Sequence, residues 1–447
     1  MNEIAEKVLE LAQKQGSGQA EVFLMDSREM TIEVSEQKVD NLHLAKQRGL
    51  GLRVIVGQKM GFAYSADLAA PALQKTVERA FQNAKLAEED EAWQLATAEL
   101  AQEKLAQSLK LYDQKIGRYS LEEKIQLAKQ LETAALRYDT RVSRVEKAAY
   151  QDVEYQVGLY NSHGVAQSYR GSYCGLYGVA IGRDGDSAET GWGMKYTLRY
   201  RELDPQEVGR EVGEKAVRML GAQAIPSGKL PVVFEPYVMT GILGVLQTAF
   251  SGEAVLKGKS FLAGQEGKPI ASPLVNLYDH GALPGHLGSA PFDGEGVSTG
   301  ETVLVQKGYL QGFLHNLYTA QKSGVDSTGN AVRHSFKSTP EVGITNFYLD
   351  KGASTRQALL QEIQKGFYVT QAMGLHTVNP ISGDFSLGAA GLLIEGGELT
   401  RPVKGVVIAG NLRTLLKGIV AVADDLTFFI GKGAPTVGVE GITVSGN

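Results

Sequence analysis

The first candidates for chemistry are five polar side chains in one glycine- and proline-containing stretch. His280 and His286 flank Gly281, Pro284 and Gly285, with Asp279, Asp293 and Glu295 close by in the sequence. Imidazole nitrogens and carboxylate oxygens together suit a transition-metal ion. No regular spacing would make this loop converge on one ion, so these residues are read as a solvated turn. His315, His334 and His376 are scattered among β-rich segments and are read as hydrogen-bonding structural residues. Cys174 is the only cysteine, which excludes an intramolecular disulfide and a Cys-rich zinc knuckle. It is read as a buried structural thiol. Ser386 lacks the Gly-x-Ser-x-Gly surroundings of a nucleophile elbow. Gly258-Lys259-Ser260 comes nearest to a phosphate loop, but Glu253 stands where the first glycine of that loop belongs. Asp424-Asp425 follow the helical-looking segment Leu412–Val422 and read as a helix end or turn.

The whole-chain numbers narrow the field. A length of 447 residues corresponds to about three domains. A net charge of −5 without a basic tail argues against general affinity for nucleic acid. Glu3, Glu6 and Glu10 interrupt the N-terminal apolar residues, which a secretory signal would not tolerate. No uncharged apolar run reaches the ~18–20 residues that span a bilayer. The chain therefore reads as a cytoplasmic protein with no membrane partner. Its 53 glycines are spread between β-rich runs, as at Gly49, Gly51, Gly57 and Gly61, marking tight turns and close backbone approaches.

The elements that must position these residues follow from periodicity. Ile4, Val8 and Leu11 predict a helix over Asn2–Lys14, stopped by Gly16. Strands are expected at Ala20–Met25, Thr31–Ser35, Val39–Lys46, Leu50–Val56 and Gly61–Tyr64, then a helix capped by Asp67. The order recurs. Ser120 with Glu123 forms a capping box opening a helix to Arg137. Strands follow at Arg141–Gln151, Glu154–Tyr160, Ala166–Ser172, Gly175–Gly182 and Thr190–Arg199. Asp204-Pro205 then starts a helix that reaches Leu220. Residues 88–109 between the two units read as a connector or partly helical excursion. From Pro226 onward the chain is mainly short strands and glycine turns, with helix-compatible Tyr237–Phe250 and a helix at Ser354–Gly366 capped by Ser354. The expected fold is α+β: a duplicated N-terminal helix–antiparallel sheet–helix unit, then a mainly antiparallel, barrel-like β domain. The divisions fall at 1–110, 111–225 and 226–447.

The most distinctive segment is Asn379-Pro380-Ile381-Ser382-Gly383-Asp384-Phe385-Ser386-Leu387-Gly388-Ala389-Ala390-Gly391, running into Leu392-Leu393-Ile394-Glu395. Before it come Lys257-Gly258-Lys259-Ser260-Phe261, Asp279, Gly288-Ser289-Ala290-Pro291-Phe292-Asp293-Gly294-Glu295-Gly296, Thr328-Gly329-Asn330-Ala331 and Thr345-Asn346. After it come Pro402-Val403, Ile408-Ala409-Gly410-Asn411, Pro435-Thr436-Val437 and Val444-Ser445-Gly446. In this order the blocks resemble the TldD/PmbA family of metallopeptidase subunits.

The resemblance implies a specific absence. The family's catalytic subunit, TldD, binds zinc through a His-Glu-x-x-x-His helix ahead of the Lys-Gly block, with a cysteine near the C-terminus. The corresponding positions here read Gln247-Thr248-Ala249-Phe250-Ser251-Gly252, and Phe428–Val437 contains no cysteine. Hydrolytic zinc needs about three protein ligands and an open position for water. An amide at Gln247, a hydroxyl at Thr248 and a glycine at Gly252 cannot replace imidazoles and a general base. The chain is thus similar to the PmbA (TldE) branch, with no catalytic or metal residues of its own. A TldD-type partner is expected to supply the zinc of a heterodimeric protease that cleaves unstructured peptides, with a homodimer forming when the chain is alone. Asn379, Gly383, Asp384 and Ser386 are the substrate-cleft candidates, and a tight turn closed by Asx-type hydrogen bonds is their competing structural role. The alternative from another class is a homodimeric peptide-binding or regulatory protein without protease activity.

Overall fold

The computed structural model describes residues 1–16, 18–98 and 105–446. The N-terminal half consists of α1 (Asn2–Lys14), β1 (Gln19–Ser35), β2 (Lys38–Val56), β3 (Lys59–Ser65) and α2 (Ala70–Leu86). After the short α3 (Leu105–Leu109) come α4 (Leu121–Tyr138), β4 (Val142–Asn161), β5 (Ala166–Asp184), β6 (Ser187–Thr197) and α5 (Pro205–Val217). Helix, antiparallel strands and helix thus occur twice, as expected. The two units do not form separate sheets: all six strands join in the order β3-β2-β1-β4-β5-β6. β1 and β4 pair antiparallel at the centre, from Glu21 opposite Asn161 to Val34 opposite Ala148. The second unit therefore relates to the first by an approximate two-fold between these strands.

Each unit has three long strands rather than the five short ones expected. The polar run Asp26-Ser27-Arg28-Glu29 looks like a break, yet the ladder continues through it because the partners are complementary. Asp26 lies opposite Arg48 on β2, and Arg28 lies opposite Glu154 on β4. The glycines at 49 and 51 are close approaches inside β2. A Cβ at Gly49 would lie 2.4 Å from the Phe336 ring, and one at Gly51 would lie 2.5 Å from the Phe336 carbonyl.

Successive strand residues face opposite sides of the sheet. One side carries all four long helices. Val8, Val22, Leu52, Val77 and Phe81 form the core under α1 and α2. Ile32, Leu131, Tyr150, Leu176 and Val212 form the core under α4 and α5. On the other side Phe23, Val157 and Leu159 pack against Phe292, Leu317 and Phe336 of the C-terminal half. Ser120 and Glu123 make the expected capping box, and Asp204 accepts the N–H groups of Gln206 and Glu207. Asp67 is not a cap: α2 starts after Ala69, whose N–H donates to Asp67. Likewise Thr355, not Ser354, caps the helix Arg356–Ile363.

The C-terminal half is built on two larger sheets sharing one core. The six-stranded sheet runs Tyr309–Leu310, Glu301–Gln306, Leu277–His280, Phe347–Leu349, Lys432–Ala434 and Thr427–Phe429. The eight-stranded sheet is centred on Val232–Phe234, Lys365–Met373, Asp384–Glu395 and Glu398–Asn411. Helix α6 (Pro236–Leu246) contributes Val238, Met239, Ile242, Leu243 and Leu246 to the same core. Among the described residues, the strands of these two sheets pair antiparallel with one another except where Val232–Phe234 joins Phe367–Val369 and Phe347–Tyr348 joins Lys432–Gly433. Leu412–Lys417 is helical, but Ile419–Val422, read as its continuation, is a strand. Among the described residues no helix is long and apolar enough to cross a membrane.

Candidate functional site

Helix α6 ends at Leu246, and the chain tightens into a 3-10 turn over Gln247–Phe250. Ser251 is extended, with φ −77° and ψ 124°, and a five-residue helix, α7 (Gly252–Leu256), follows. The positions corresponding to the zinc motif therefore do not lie on one continuous helix. Gln247 is half-buried, its Oε1 without a hydrogen-bond partner, and Thr248 is exposed. Gly252 is buried, and its N–H donates to the Leu314 carbonyl at 2.9 Å. A Cβ at this position would stand 2.4 Å from Cε1 and Nδ1 of His315. The imidazole of His315 thus fills the space a side chain at 252 would need. His315 has the structural role expected of it: it is buried, its Nδ1 lies 3.2 Å from the Thr319 hydroxyl, and burial lowers its pKa.

Gln247 and Thr248 line a groove of about 540 Å³. Gln247, Thr248, Ser251 and Glu253 form one wall, and Val342 and Ile344 contribute from the segment before Phe347–Leu349. Pro380 and Ile381 come from the Asn379–Gly391 run. The turn that presents them is closed as an Asx turn. Asn379 Oδ1 accepts the N–H groups of Ile381 and Ser382 at 2.9 and 3.1 Å, and its carbonyl accepts that of Gly383 at 2.8 Å. Gly383 has φ +83°, a conformation that favours glycine. Asp384 braces the turn from outside, accepting from Asn411 Nδ2 at 2.7 Å, and the Asn411 and Ser382 side chains hold its carboxyl below the usual range. Ser386 lies exposed on its strand opposite Ala409. The groove therefore gathers Gln247, Thr248 and the loop tip shaped by Asn379 and Gly383. Gly252, Asp384 and Ser386 do not line it.

A second cavity of about 470 Å³ lies between the helix-free side of the N-terminal sheet and the C-terminal half. Phe23, Tyr155, Tyr169 and Phe292 line it, and Ile344 lines both cavities.

The acidic residues of the first candidate cluster are buried, not solvated. A glycine-rich loop exposes many backbone N–H groups, and such donors stabilise buried carboxylates. Asp279 accepts from Asn330, from the Thr345 N–H and from the Thr345 hydroxyl, at 2.7, 2.8 and 2.6 Å. Asp293 accepts the N–H groups of Glu295, Val297 and Ala331. His280 lies 3.7 Å from Glu301, and His286 packs on the Phe428 ring. Among the described residues no three His, Cys, Asp or Glu side chains are grouped to hold a metal ion. Cys174 is buried and unpaired, its pKa pushed up to about 12 by burial.

Sequence reasoning missed the charge cluster that joins the two halves. Arg53 on β2 bonds Glu21 on β1 at 3.1 and 2.9 Å and Glu295 of the C-terminal half at 2.8 Å. Arg333 also reaches Glu21 and donates to the Gly294 carbonyl at 2.7 Å. The available signal was a single charge inside each apolar strand, Glu21 before Val22-Phe23-Leu24 and Arg53 before Val54-Ile55-Val56.

This region carries a pH dependence. Burial and the neighbouring Glu295 push the Asp293 carboxyl up to about 7, with the three N–H donors opposing the shift. The folded chain then keeps a proton that an unfolded carboxyl loses near pH ~4. Stability from this group should accordingly fall as pH rises from about 4 to about 7. Urea midpoints measured across that window should decline less in D293N than in the wild type. Equal declines in the two proteins would remove Asp293 as the source.

Family models match nearly the whole described chain. They are described as PmbA/TldA metallopeptidase domain 1 over residues 20–84, central domain over 114–220 and C-terminal domain over 227–446. The chain belongs to the PmbA/TldD metallopeptidase family. Metalloprotease PmbA homolog of Haemophilus influenzae is 33% identical over 98% of this chain and 94% of its own length. Metalloprotease PmbA of Escherichia coli O157:H7 is 31% identical over 95% and 92%. Haemophilus influenzae also has a relative named Metalloprotease TldD homolog, 28% identical over 89% of this chain and 87% of its length. The crystal structure of a Thermotoga maritima protein, described as a candidate modulator of a DNA gyrase, superposes with TM-score 0.90 at 29% identity, covering 99% of this chain and 100% of that one. The resemblance read from the sequence sets Gln247, Thr248 and Gly252 against the family's zinc motif. Their donors do not fit the ion: one amide, one hydroxyl, and a glycine whose side-chain space His315 occupies.

Proposed function

We propose that this chain is the non-metal-binding, PmbA/TldE-type subunit of a heterodimeric zinc metallopeptidase whose TldD-type partner supplies the metal and the general base. The observation carrying this reading is the packing of His315 into the space beside Gly252, which removes a ligand position while the groove around it persists. That one organism holds both a PmbA homolog and a TldD homolog of this chain supports a division of labour. The substrate is an unstructured peptide. It lies along the groove beneath Pro380 and Ile381 and continues past Ile344 toward the tyrosine-lined cavity, where extended chain fits and a folded domain does not.

In this role the chain's residues bind and orient substrate. Asn379 and Gly383 set the loop that closes one side of the groove, and Gln247 and Thr248 line it as well. The test is hydrolysis of an unstructured peptide by the purified chain, alone and mixed with the TldD-type protein of its own organism. Cleavage is expected only in the mixture, abolished by chelation and restored by zinc. Cleavage by the chain alone would overturn the proposal. No cleavage in a mixture where the TldD-type protein alone is active would favour a peptide-binding or regulatory protein.

A further inference from the structure

Helix α6 presents two glycines on one face. Gly241 and Gly244 stand one turn apart, and Thr248 follows on that face just past the helix end. Gly241 lines a cavity of about 560 Å³ together with Trp192, Tyr237 and Leu375. Thr248 lines the 540 Å³ groove together with Pro380 and Ile381. Gly244 therefore lies between two openings on one side of the helix.

The Lys432 side chain ends at this glycine. A Cβ at position 244 would lie 2.9 Å from Lys432 Nζ, so a larger residue there would dislodge the ammonium. The sheet sets this approach. Lys432 pairs with Phe347 on one side and Phe429 on the other, and Phe347 and Ala434 belong to the core that α6 covers. Side chains alternate along a strand. Lys432 and Ala434 thus leave the sheet on the same face, toward α6.

A cation on that face calls for a reason. Lys432 is half-buried, and burial lowers its pKa. Among the described residues its ammonium has neither an ion pair nor a hydrogen bond. Taking a charge partly out of water without a partner is unfavourable, and such charges gather at functional sites. The neighbouring groove has the same sign. There Lys257 is matched by Glu253, whereas Lys259 has no carboxylate partner among the described residues. In a chain of net charge −5, this side of α6 thus presents two uncompensated cations.

We infer that Lys432 is an anion anchor for substrate: its ammonium, seated on Gly244, binds a carboxylate of an extended peptide lying along α6. A peptide has two sources of that group, its C-terminal carboxylate and an acidic side chain. An ammonium suits either, because a compact charge with three donors demands no fixed fork geometry. Residues flanking the carboxylate enter the two openings, one walled by Trp192 and Tyr237, the other by Pro380 and Ile381. The inference rests on reading the chain as a peptide-handling subunit and adds a substrate class to that reading.

Titration calorimetry on the purified full chain tests the anchor without the partner. The probes are three unlabelled peptides of one sequence: a free acid without acidic residues, its C-terminal amide, and that amide with one Gln changed to Glu. The wild type should bind at least one carboxylate-bearing peptide about tenfold or more tightly than the plain amide. Preference for the free acid assigns the C-terminal carboxylate, and preference for the Glu peptide assigns the side chain. K432M keeps the side-chain length without the charge. It should abolish the preference while leaving affinity for the plain amide unchanged. G244A keeps the charge but removes its seat, so it should reduce the preference as well. An unchanged circular dichroism spectrum will show that each variant is folded.

Equal binding of all three peptides by the wild type, or binding of none, would defeat the proposal. So would a K432M variant that loses the plain amide equally, the mark of a merely structural lysine, or a G244A variant indistinguishable from the wild type. Hydrolysis in the mixture with the TldD-type protein separates this inference from the reading beneath it. Acid-selective binding without cleavage leaves the anchor and removes the peptidase subunit; cleavage without acid selectivity does the reverse.

Discussion

Replacing Arg53 with alanine should destabilise the chain by about 3–5 kcal/mol, the usual cost of leaving buried charge without its partner. The Arg53 side chain is 1% exposed, and those of Glu21 and Glu295 are 0% and 1% exposed. Without the guanidinium, two carboxylates remain in the interior with only Arg333 to serve them. Burial pulls the pKa of Arg333 down to about 10, which still leaves it charged at neutral pH. The damage should extend beyond the local cluster. Glu295 also accepts the N–H of Leu317 at 2.8 Å, the first residue of the helix Leu317–Ser323, so the cluster ties the N-terminal sheet to that helix.

Equilibrium urea unfolding is the measurement, and R53K should recover little because an ammonium cannot form the same fork. E21M/R53M leaves Glu295 and Arg333 as one charge of each sign and should be more stable than R53M, which fills the same volume but leaves Glu21 without its partner. That ordering would identify unpaired charge, not lost volume, as the cause. A loss below about 1 kcal/mol for R53A, within the range of exposed ion pairs, would refute this account.

Restoring the zinc motif by substitution should fail. Q247H/T248E/G252H supplies the side chains the family's catalytic subunit carries, yet the purified variant should contain no stoichiometric zinc. The imidazole introduced at 252 has no room: even its Cβ would meet the His315 ring at 2.4 Å and the Leu314 carbonyl at 2.9 Å. Overpacking of this kind costs typically about 1–3 kcal/mol, and a backbone oxygen among the obstacles favours the upper end. The thermal midpoint should fall accordingly. Adding H315A should return part of the stability without bringing in the metal, because the turn at Ser251 still separates 247 and 248 from 252. Tight, stoichiometric zinc in the triple variant, measured by elemental analysis, would show that the site remains convertible and that His315 yields easily.

Local signals in the sequence were legible wherever one short segment contains the whole cause. The Ser120–Glu123 box, Pro205 behind Asp204 and the spacing of Ile4, Val8 and Leu11 each act within one or two helical turns, and those helices stand where expected. The length of β1 was not legible, because Asp26–Glu29 becomes strand only through complementary residues on β2 and β4. Nor was the two-sheet plan of the C-terminal half, where Val232–Phe234 finds its neighbours in Phe367–Val369 and Val437–Val439. At the groove, resemblance picked out Gln247, Thr248 and Gly252, but not the reason the site is closed to metal. His315 comes from a separate segment. Asp279, Asp293 and Glu295 were misjudged because a glycine-rich loop suggests water, whereas Asp293 takes N–H groups of that loop and the other two find donors in distant segments, Asp279 in Asn330 and Thr345, Glu295 in Arg53 and Leu317.

The pairing of β1 with β4 also sets a timetable for the nascent chain. β1 can acquire β2 as soon as the first hairpin leaves the ribosome, but its other edge is satisfied only by a strand beginning at Val142. At roughly 5–20 residues per second, synthesis leaves that edge open for a period on the order of ten seconds. During this interval the central strand of the future sheet is an outer one, long and rich in apolar residues. A neighbouring polysome can offer the same strand before the chain's own β4 exists. The approximate symmetry that makes the finished sheet seamless thus leaves the inner edge of the first unit open until the second arrives.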